Sequence, residues 1–454
     1  MAYDKNKIAD LITTEDPLKR NRYLKNTISL LEHLPNQNLV LNLDGDWGSG
    51  KTVFCQQLNY LIQEENVKEK NIIFGEETTN ISKIYKTFYF DAWMNDIYKE
   101  PMQALLSELL VKFSKDLTLD KEIKQLIMEL AIPMAKTSLF QGVSNLVTKV
   151  SGGAINLREL QEAYTQLLEE SDGSSLIDSI ISVDEKRDRI HSLIKDIRGP
   201  QKLLIIIDEL DRCKPSFAVE FLELIKHFFD EENTIFLVAT NKRELSHTVR
   251  KYYGESFNGY SYLSRFFDME LTLPLVSKTD YIKHKFSSVF QQTNLITSIE
   301  HTTKHFNFQL RDINRLSIPF QIFNNQFFRS LNEGQVKNRS TQAEVYIPYM
   351  VALKIKNGHL YSEFTNGKGY EDFKQYIGTH PFYENYSEID TEWKEIYDFI
   401  VKTYSNSRYT HDIFTQNNTE LIRIKPVLEK IFDALTMIGI EENPESRNRI
   451  SFLE

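Results

Sequence analysis

The sequence predicts an α/β protein built on a parallel β-sheet with helices on both faces. Short, almost continuously apolar runs recur far apart along the chain, as expected of strands that are buried on both faces. Stretches with helical periodicity separate these runs, and neighbouring parallel strands need such crossover connections. We expect the strands at residues 38–43, 87–90, 203–207, 234–238 and 269–273.

The first predicted strand is followed by GDWGSGKT and then by a helical pattern that begins near Lys51. This segment fits G-x-x-x-x-G-K-[ST], in which glycines let backbone N–H groups surround a phosphate chain and the next helix adds its positive dipole end. We expect Lys51 to contact the β and γ phosphates, the Thr52 hydroxyl to hold Mg²⁺, and Trp47 to pack or stack. The predicted nucleotide-binding residues are Gly45, Asp46, Trp47, Gly48, Ser49, Gly50, Lys51 and Thr52. The strand–loop–helix context therefore predicts a P-loop nucleotide-binding fold.

The third predicted strand runs into Asp-Glu-Leu-Asp-Arg at residues 208–212. In open α/β sheets the carboxyl end of a strand faces the ligand. We expect Asp208 to orient the Mg²⁺ shell and Glu209 to polarise the attacking water. Asp211 leaves the same strand end, where it would share the metal or pair with Arg212, and the sequence does not choose between these roles.

Composition sets broad limits on the protein. The chain has 454 residues, a formal net charge of −10 and two cysteines. Such a length predicts several domains or a core with insertions, and the acidic balance argues against non-specific coating of nucleic acid. Local basic pairs at 242–243 and 250–251 remain. We expect a cytoplasmic protein with buried free thiols and no membrane span, because long uncharged apolar runs and a signal peptide are absent from the sequence.

Seven stretches together resemble the KAP family of P-loop NTPases, a branch of the ASCE class related to AAA+ and STAND ATPases. They are DPLKRNRY (16–23), GDWGSGKT (45–52), FYFDAW (88–93), IDELDRC (207–213), LVATNKREL (237–245), YLSRFFD (262–268) and LRDINR (310–315). The tryptophan in the phosphate loop makes the match sharper than a generic P-loop. This chain has Asp91 where the family usually has asparagine, and Glu209 in place of the second aspartate of its D-D-L-D-R-C signature.

The resemblance implies further site residues. Asn241, or Thr240 as an alternative, would position the attacking water against the γ-phosphate. Arg265 would be an arginine finger, most often supplied by a neighbouring subunit. The alternative for Arg265 is an ion pair with Asp268 or Glu270 within the same chain.

The stretch LRDINR resembles the lid helix of these ATPases, where Arg311 would be the sensor arginine and Arg315 the reserve. ATP as substrate is implied by the resemblance alone. The segment Thr240-Asn-Lys-Arg-Glu244 comes near a guanine-reading Asn-Lys-x-Asp motif but has glutamate where aspartate would stand.

We divide the chain into four parts on this basis. These are an N-terminal helical segment at 1–34, a P-loop core at 35–274 with a helical insertion at about 100–198, a helical lid at 275–331 and a mainly helical C-terminal partner or accessory domain at 332–454. A helix starting just after Pro215 should pack on the sheet.

The expected function is an ATPase that couples hydrolysis to conformational change. The resemblance implies a homo-oligomer that acts as motor or switch in a prokaryotic anti-phage defence or exclusion system, with partners encoded nearby. One alternative is a signalling scaffold with little turnover, in which tyrosines of the tail either anchor a partner or, as we favour, fill a helical core. These are Tyr346, Tyr349, Tyr361 and Tyr370. Another alternative is a nucleic-acid translocase with a basic pore.

Overall fold

The computed structural model describes residues 4–63, 67–75, 81–98, 100–113, 183–287, 293–322, 337–382, 394 and 397–398. The chain forms two compact units, Met1–Leu275 and Val276–Glu454. Across the described ranges, no helix combines the length and the apolar character that crossing a membrane requires. The four-part division made from the sequence stays a prediction.

A five-stranded parallel β-sheet organises the first unit. Its strands are β1 (Leu39–Asp44), β2 (Tyr85–Asp91), β3 (Lys202–Asp208), β4 (Thr234–Thr240) and β5 (Met269–Thr272), in the spatial order β2-β3-β4-β1-β5. The predicted fold class is confirmed, and each predicted strand overlaps an observed one. Their ends differ because ladder hydrogen bonds continue into polar residues such as Asp208, which apolar patterning does not mark.

The register of the sheet aligns the carboxyl ends of four strands at one edge. Asp44 of β1 lies opposite Thr240 of β4, and Asp208 of β3 lies opposite both Ala239 of β4 and Asp91 of β2. Strands in such a ladder are about 4.8 Å apart. The loops that follow these strands therefore emerge side by side, although they are far apart in sequence.

Short and medium-length helices surround the sheet. They are α1 (Lys5–Asp10), α2 (Asn21–Glu32), α3 (Lys51–Ile62), α4 (Val67–Phe74), α5 (Ile81–Ile84), α6 (Ala92–Asn95), α7 (Pro101–Phe113), α8 (Val183–Arg198), α9 (Pro215–Phe228), α10 (Lys242–Tyr253) and α11 (Gly259–Leu263). A π-helical turn follows α1 and a 3₁₀ turn, Leu210–Arg212, follows β3. The predicted helix near Pro215 is present, and the proline occupies its first turn, where its fixed φ suits a helix start.

The helical insertion expected at about 100–198 is described only at its two ends. Those ends are helical, as α7 and α8, and residues 114–182 lie outside the described part of the chain.

Two apolar cores cover the two faces of the sheet. Val40, Ile205 and Phe236 point to the face covered by α7–α11, and alternate residues such as Ile206 and Leu237 point to the face covered by α2 and α3. Side chains of a strand alternate between faces, and each fully buried Leu or Ile contributes roughly 1.5–3 kcal/mol. Burial on both faces explains why these strands are continuously apolar in sequence.

The second unit is helical in its described part. Its helices are α12 (Lys278–Ser287), α13 (Thr293–His305), α14 (Leu310–Ile322), α15 (Lys337–Lys356), α16 (Gly358–Thr365) and α17 (Tyr370–Gly378). Tyr346 and Tyr349 of α15 are buried, and the Tyr349 hydroxyl donates to Asp372 at 2.6 Å. These two tyrosines therefore fill a helical core, whereas Tyr361 and Tyr370 are half-buried.

A fully buried histidine, His380, lies just beyond the end of α17. The His380 ring packs against His301 at a centroid distance of 4.7 Å and against Tyr376 at 5.7 Å. Burial and, to a smaller extent, the neighbouring His301 together lower the pKa of His380 to about 3. The fold therefore holds His380 in its neutral form.

Acidification from pH 7 to pH 5 is expected to lower the stability of the second unit by about 2 kcal/mol through His380. The unfolded chain binds the proton near the normal histidine pKa, whereas the folded chain binds it only near pH 3. Stability is therefore lost as the pH falls below the unfolded value. Hydrogen exchange of peptides spanning residues 370–382 at both pH values, in wild type and His380→Gln, measures this loss. An equal pH dependence in the two proteins would contradict it.

Candidate nucleotide-binding site

The glycine-rich loop predicted to bind phosphate connects β1 with α3. Gly48 has φ 79° and Gly50 has φ 93°, both in the left-handed region that favours glycine. A Cβ atom at Gly50 would also lie 2.8 Å from Nη1 of Arg20. The positive φ therefore favours glycine at position 50, and a larger residue there would also have to displace the Arg20 guanidinium.

Lys51, the first residue of α3, is buried beneath this loop. Its ammonium donates to the carbonyl oxygens of Gly45 and Asp46, the latter at 3.2 Å. Burial lowers the pKa of Lys51, and the carboxylates of Asp211 and Asp208 oppose this shift. The ammonium is thus held at the phosphate loop, close to the carboxylates of Asp211 and Asp208. One ammonium does not cancel the charge of both carboxylates, so negative charge remains there for a bound cation to neutralise.

Asp208 lies at the end of β3 and is almost fully buried. Its side chain accepts hydrogen bonds from the Tyr89 hydroxyl at 2.8 Å, from the Glu209 N–H at 2.9 Å and from the Thr52 hydroxyl. Burial raises the pKa of Asp208, and these three donors oppose the shift. The structure thus brings together Thr52 and Asp208, the two predicted Mg²⁺ ligands. A hydroxyl and a carboxylate are hard oxygen donors of the kind that Mg²⁺ prefers.

Glu209, the predicted base, follows Asp208 with a left-handed backbone at φ 60°. Its Oε1 pairs with Nη1 of Arg212 at 2.9 Å. Burial raises the pKa of Glu209, Arg212 lowers it, and the nearby Asp208 and Asp91 carboxylates raise it. Glu209 is therefore beside the metal-binding candidate, with one oxygen engaged by an intramolecular cation.

Among the residues that the structure describes, Asp211 forms no ion pair with Arg212, which pairs with Glu209 instead, and a share in the metal stays a prediction. Its Oδ2 accepts hydrogen bonds from Trp47 Nε1 at 2.6 Å and from the Asn241 N–H at 3.0 Å. The side chain is 7% exposed. Asp211 therefore joins the phosphate loop to the residue that follows β4.

Thr240 and Asn241, the two alternatives for positioning water, differ in surroundings. The buried Thr240 hydroxyl donates to Asn42 Oδ1 at 2.8 Å, inside the sheet. Asn241 lies beyond the strand end, and its Oδ1 accepts from the Glu244 N–H at 3.2 Å and caps α10. Of the two, Asn241 is the one outside the strand, and its role toward water stays a prediction.

Arg265 follows α11 and is exposed. Its two alternative partners are engaged elsewhere: Asp268 accepts from the Val40 N–H at 2.8 Å, and Glu270 pairs with Lys242. Among the residues that the structure describes, Arg265 forms no ion pair within 4.0 Å. Its role as an arginine finger stays a prediction.

The remaining predicted arginines lie in the second unit. Arg311 and Arg315 are both exposed on α14. Their role as lid sensors stays a prediction.

The stretch FYFDAW is only partly core. Phe88 and Phe90 are buried, whereas Trp93 is 50% exposed and lies 5.4 Å below the Arg212 guanidinium. Asp91, which replaces the usual asparagine, accepts from the Met94 N–H at 3.0 Å and caps α6. An ordinary core role therefore fits the two phenylalanines but not Trp93.

Of the basic pair at 242–243, only Lys242 has hydrogen bonds or ion pairs to other elements of the fold among the described residues. The Lys242 ammonium pairs with Glu270, and its N–H donates to Asp44 Oδ1 at 2.8 Å. Arg243 is exposed. Lys242 therefore connects the start of α10 to the end of β1 and to the second residue of β5.

Two residues that bear on the site were not singled out from the sequence. Arg20 donates through Nη2 to the Ser49 carbonyl at 2.7 Å and through Nη1 to the Gly50 carbonyl at 3.2 Å. Tyr89 donates to Asp208. Arg20 lies in the stretch DPLKRNRY, but polar character there did not indicate which side chain turns inward. Tyr89 is flanked by Phe88 and Phe90, which read as core.

Replacing Arg20 with alanine is expected to destabilise the phosphate loop by about 1–3 kcal/mol, because two loop carbonyls lose a charged donor. Arg20 is 3% exposed. Arg22→Ala is the matched control, since Arg22 is exposed in the first turn of α2, which begins directly after Arg20, and should change stability by less than about 0.5 kcal/mol. Chemical unfolding and hydrogen exchange of residues 45–55 measure both. Equal effects of the two substitutions would count against the brace.

Comparison with known proteins finds a protein of similar sequence and solved structures of similar fold. An uncharacterized protein of Methanocaldococcus jannaschii is 27% identical over 168 residues, covering 31% of this chain and 82% of the relative. Two structures of the Aeropyrum pernix ORC2 protein, with ADPNP and ADP and with ADP, cover 93% of this chain and 94% of theirs, each at a TM-score of 0.31. Their sequence identities to this chain are 13% and 12%.

A family model described as the KAP family P-loop domain matches residues 20–327. The match includes β1–β5, the phosphate loop and the carboxylates at the end of β3. These elements form the parallel sheet and the candidate site described above. The chain belongs to the KAP family of P-loop NTPases.

Proposed function

We propose that this protein hydrolyses ATP and couples hydrolysis to a conformational change. The observation that carries the proposal is the arrangement at the carboxyl edge of the sheet. Lys51 is fixed under the phosphate loop, Thr52 is hydrogen-bonded to Asp208, and Glu209 comes directly after Asp208. Phosphoryl transfer depends mainly on positioning and electrostatic stabilisation, and these groups supply both.

Lys51 and the phosphate loop are the groups that would bind the phosphates. The Lys51 ammonium now donates to two loop carbonyls, and a phosphate chain would compete for these donors with full negative charge. The N-terminus of α3 and the loop N–H groups add positive potential at the same place. This combination favours a triphosphate over an uncharged ligand.

Thr52 and Asp208 are the residues that would hold Mg²⁺. When bound, Mg²⁺ would neutralise charge on the β and γ phosphates. Tyr89 keeps the Asp208 carboxylate oriented through its 2.8 Å hydrogen bond. Burial at the strand end excludes water from most of this carboxylate.

Glu209 is the group we propose as the base. It would accept a hydrogen bond from the attacking water at one carboxylate oxygen and orient it toward the γ-phosphate. The ion pair with Arg212 occupies Oε1 and competes with this role. Asn241, the next candidate for positioning water, lies at the neighbouring strand end.

Arg265 supports a homo-oligomer. An exposed arginine without an ion pair in the described part of the chain can meet the transition-state charge of another subunit. Exposed aromatic rings lie near it in sequence, and tyrosine is enriched in interfaces. They are Tyr252, Tyr253 and Tyr260, between 43% and 49% exposed. We propose that this surface meets the nucleotide site of a second copy.

ATP is the proposed nucleotide, and a guanine-reading role for residues 240–244 is not favoured. The Asn241 side chain caps α10 and Lys242 pairs with Glu270, so both are engaged within the fold.

Arg311 as a lid sensor completes the proposed catalytic set. A cytoplasmic setting is part of the proposal, because Cys55 and Cys213 are both buried and unpaired. A role in anti-phage defence or exclusion, with partners encoded nearby, is proposed from the family resemblance alone.

A second candidate is an ATP-holding switch with little turnover. The Glu209–Arg212 ion pair favours it, because a base engaged by a cation is less available to water. Retention of ATP through purification, without phosphate release, would support this candidate over the first. A translocase is less favoured, since Lys242 of the supposed basic pore is paired with Glu270.

Phosphate release from Mg-ATP should rise with protein concentration in the wild type and should vanish in Lys51→Ala. Glu209→Gln should lower turnover by about 10²–10⁴-fold, as expected for loss of a base. Arg265→Ala should lower it by about 10³-fold or more if Arg265 is an arginine finger. Arg250→Ala is the matched control, because Arg250 is also exposed but precedes the finger segment.

Mixing the two inactive variants tests whether the site is shared. If Arg265 acts on a neighbouring subunit, Glu209→Gln mixed with Arg265→Ala forms some sites with both wild-type residues, and activity returns. No recovery, with oligomers still formed, would place Arg265 in its own subunit's site or outside catalysis. Wild-type turnover no greater than that of Glu209→Gln would overturn the hydrolysis proposal.

A further inference from the structure

One carboxylate oxygen connects three segments of the nucleotide site. Oδ2 of Asp211, in the 3₁₀ turn after β3, accepts hydrogen bonds from Trp47 Nε1 at 2.6 Å and from the Asn241 N–H at 3.0 Å. Trp47 is in the phosphate loop, and Asn241 joins β4 to α10. Because both donors share one oxygen, displacement of either segment disturbs the contact with the other.

The Trp47 ring is held by this bond more than by packing. The residue is 45% exposed, although tryptophan is usually well buried. Gly48, which follows it, has φ 79°, a left-handed backbone conformation that glycine adopts without steric cost. The short hydrogen bond to the buried Asp211 carboxylate therefore restrains the Trp47 side chain, whereas Arg20 restrains the loop backbone.

Asn241 is fixed by the same carboxylate from the other side. Its N–H bonds to Asp211, and its Oδ1 caps α10 through the Glu244 N–H. The position of Asn241 relative to the phosphate loop is thus set through Asp211. Asp208, not Asp211, is the carboxylate that bonds to Thr52.

We propose that Asp211 is a positioning residue, which holds Trp47 of the phosphate loop and the backbone of Asn241 in one arrangement so that the loop and the water-positioning segment close on the same nucleotide. The proposal rests on the nucleotide-binding function proposed above. Asp211 acts through its two N–H partners, and it neither binds the metal nor accepts the proton from water.

The first test is a double-mutant cycle on nucleotide affinity. The probe is a non-hydrolysable ATP analogue with Mg²⁺, titrated into wild type, Trp47→Phe, Asp211→Ala and the double variant. Trp47→Phe keeps an aromatic ring at this position and removes the N–H donor together with the second ring of the indole. Each single variant should bind about tenfold more weakly, and the double variant should be no weaker than Asp211→Ala, because the two residues act as one unit. Additive losses would overturn the proposal.

Asp211→Asn is the conservative variant and separates positioning from chemistry. It keeps an oxygen acceptor for both N–H donors, so we expect affinity within about threefold of wild type and turnover reduced only in proportion. Unchanged affinity with turnover lost by about 10²-fold or more would instead assign a base or metal role to Asp211 and overturn the proposal.

Fluorescence reports on the loop directly. In a chain carrying Trp93→Phe and Trp393→Phe, Trp47 is the remaining tryptophan. Adding Asp211→Ala should lower the Trp47 anisotropy and shift its emission to the red, and Asp211→Asn should restore both toward the parent. An unchanged anisotropy in Asp211→Ala would show that packing holds Trp47 and would overturn the proposal. If Asp211→Ala does not fold, comparison of Asp211→Asn with Trp47→Phe in the affinity cycle still decides.

The two levels of the proposal fail differently. If the wild type binds no analogue, the nucleotide-binding function itself is wrong. The anisotropy of Trp47 in the nucleotide-free protein nevertheless tests its restraint by Asp211. If the wild type binds the analogue and every variant binds it equally, only the positioning role is wrong.

Discussion

The pairing of β4 with both β1 and β3 is the constraint on which the site depends. Because these strands are parallel and in register, Asp44, Thr240 and Asp208 all reach the same edge of the sheet. The loops after them must then emerge as neighbours. A shift of one residue in either ladder would turn every side chain of the shifted strand to the other face of the sheet. It would also move Asp208 or Thr240 away from the phosphate loop.

The carboxylates at this edge, of which Asp208 and Asp211 are buried and Asp44 is half-buried, are each matched to hydrogen-bond donors. Asp44 accepts from the Lys242 N–H, Asp208 from the Tyr89 hydroxyl, and Asp211 from Trp47 and Asn241. A carboxylate buried without such donors would shift its pKa and become neutral. Most of these donors are backbone or neutral groups, so they orient the carboxylates without cancelling their charge. The edge therefore combines rigid geometry with an unneutralised negative field close to Lys51.

The sequence predicted the parts of the fold and site that are local in the chain. Apolar runs located the five strands, and the glycine-rich segment identified the turn from β1 into α3. The partners of Asp211 and the inward turn of Arg20 could not be predicted, because each joins residues that only the folded sheet brings together. The choice between Thr240 and Asn241 depends on where β4 ends, which composition does not resolve to one residue.

Trp93 and Arg265 show the same limit at the surface. An aromatic residue after a strand resembles core, yet Trp93 ended in contact with Arg212 and half exposed. An arginine close to Asp268 in sequence resembles an ion pair, yet Asp268 is taken by a backbone N–H of β1. In both cases the side chain's surroundings depend on a contact between residues far apart in sequence, which the local pattern does not show.

The left-handed backbone at Glu209 sets function against thermal robustness. For most residues with a Cβ atom this conformation costs about 1 kcal/mol or more, whereas glycine, and asparagine through local hydrogen bonds of its side chain, adopt it more easily. A library screened for heat resistance alone should therefore enrich glycine or asparagine at position 209, and the most robust survivors would lack the carboxylate. Glu209 is thus a position where a stabilising substitution would remove the group that the function requires.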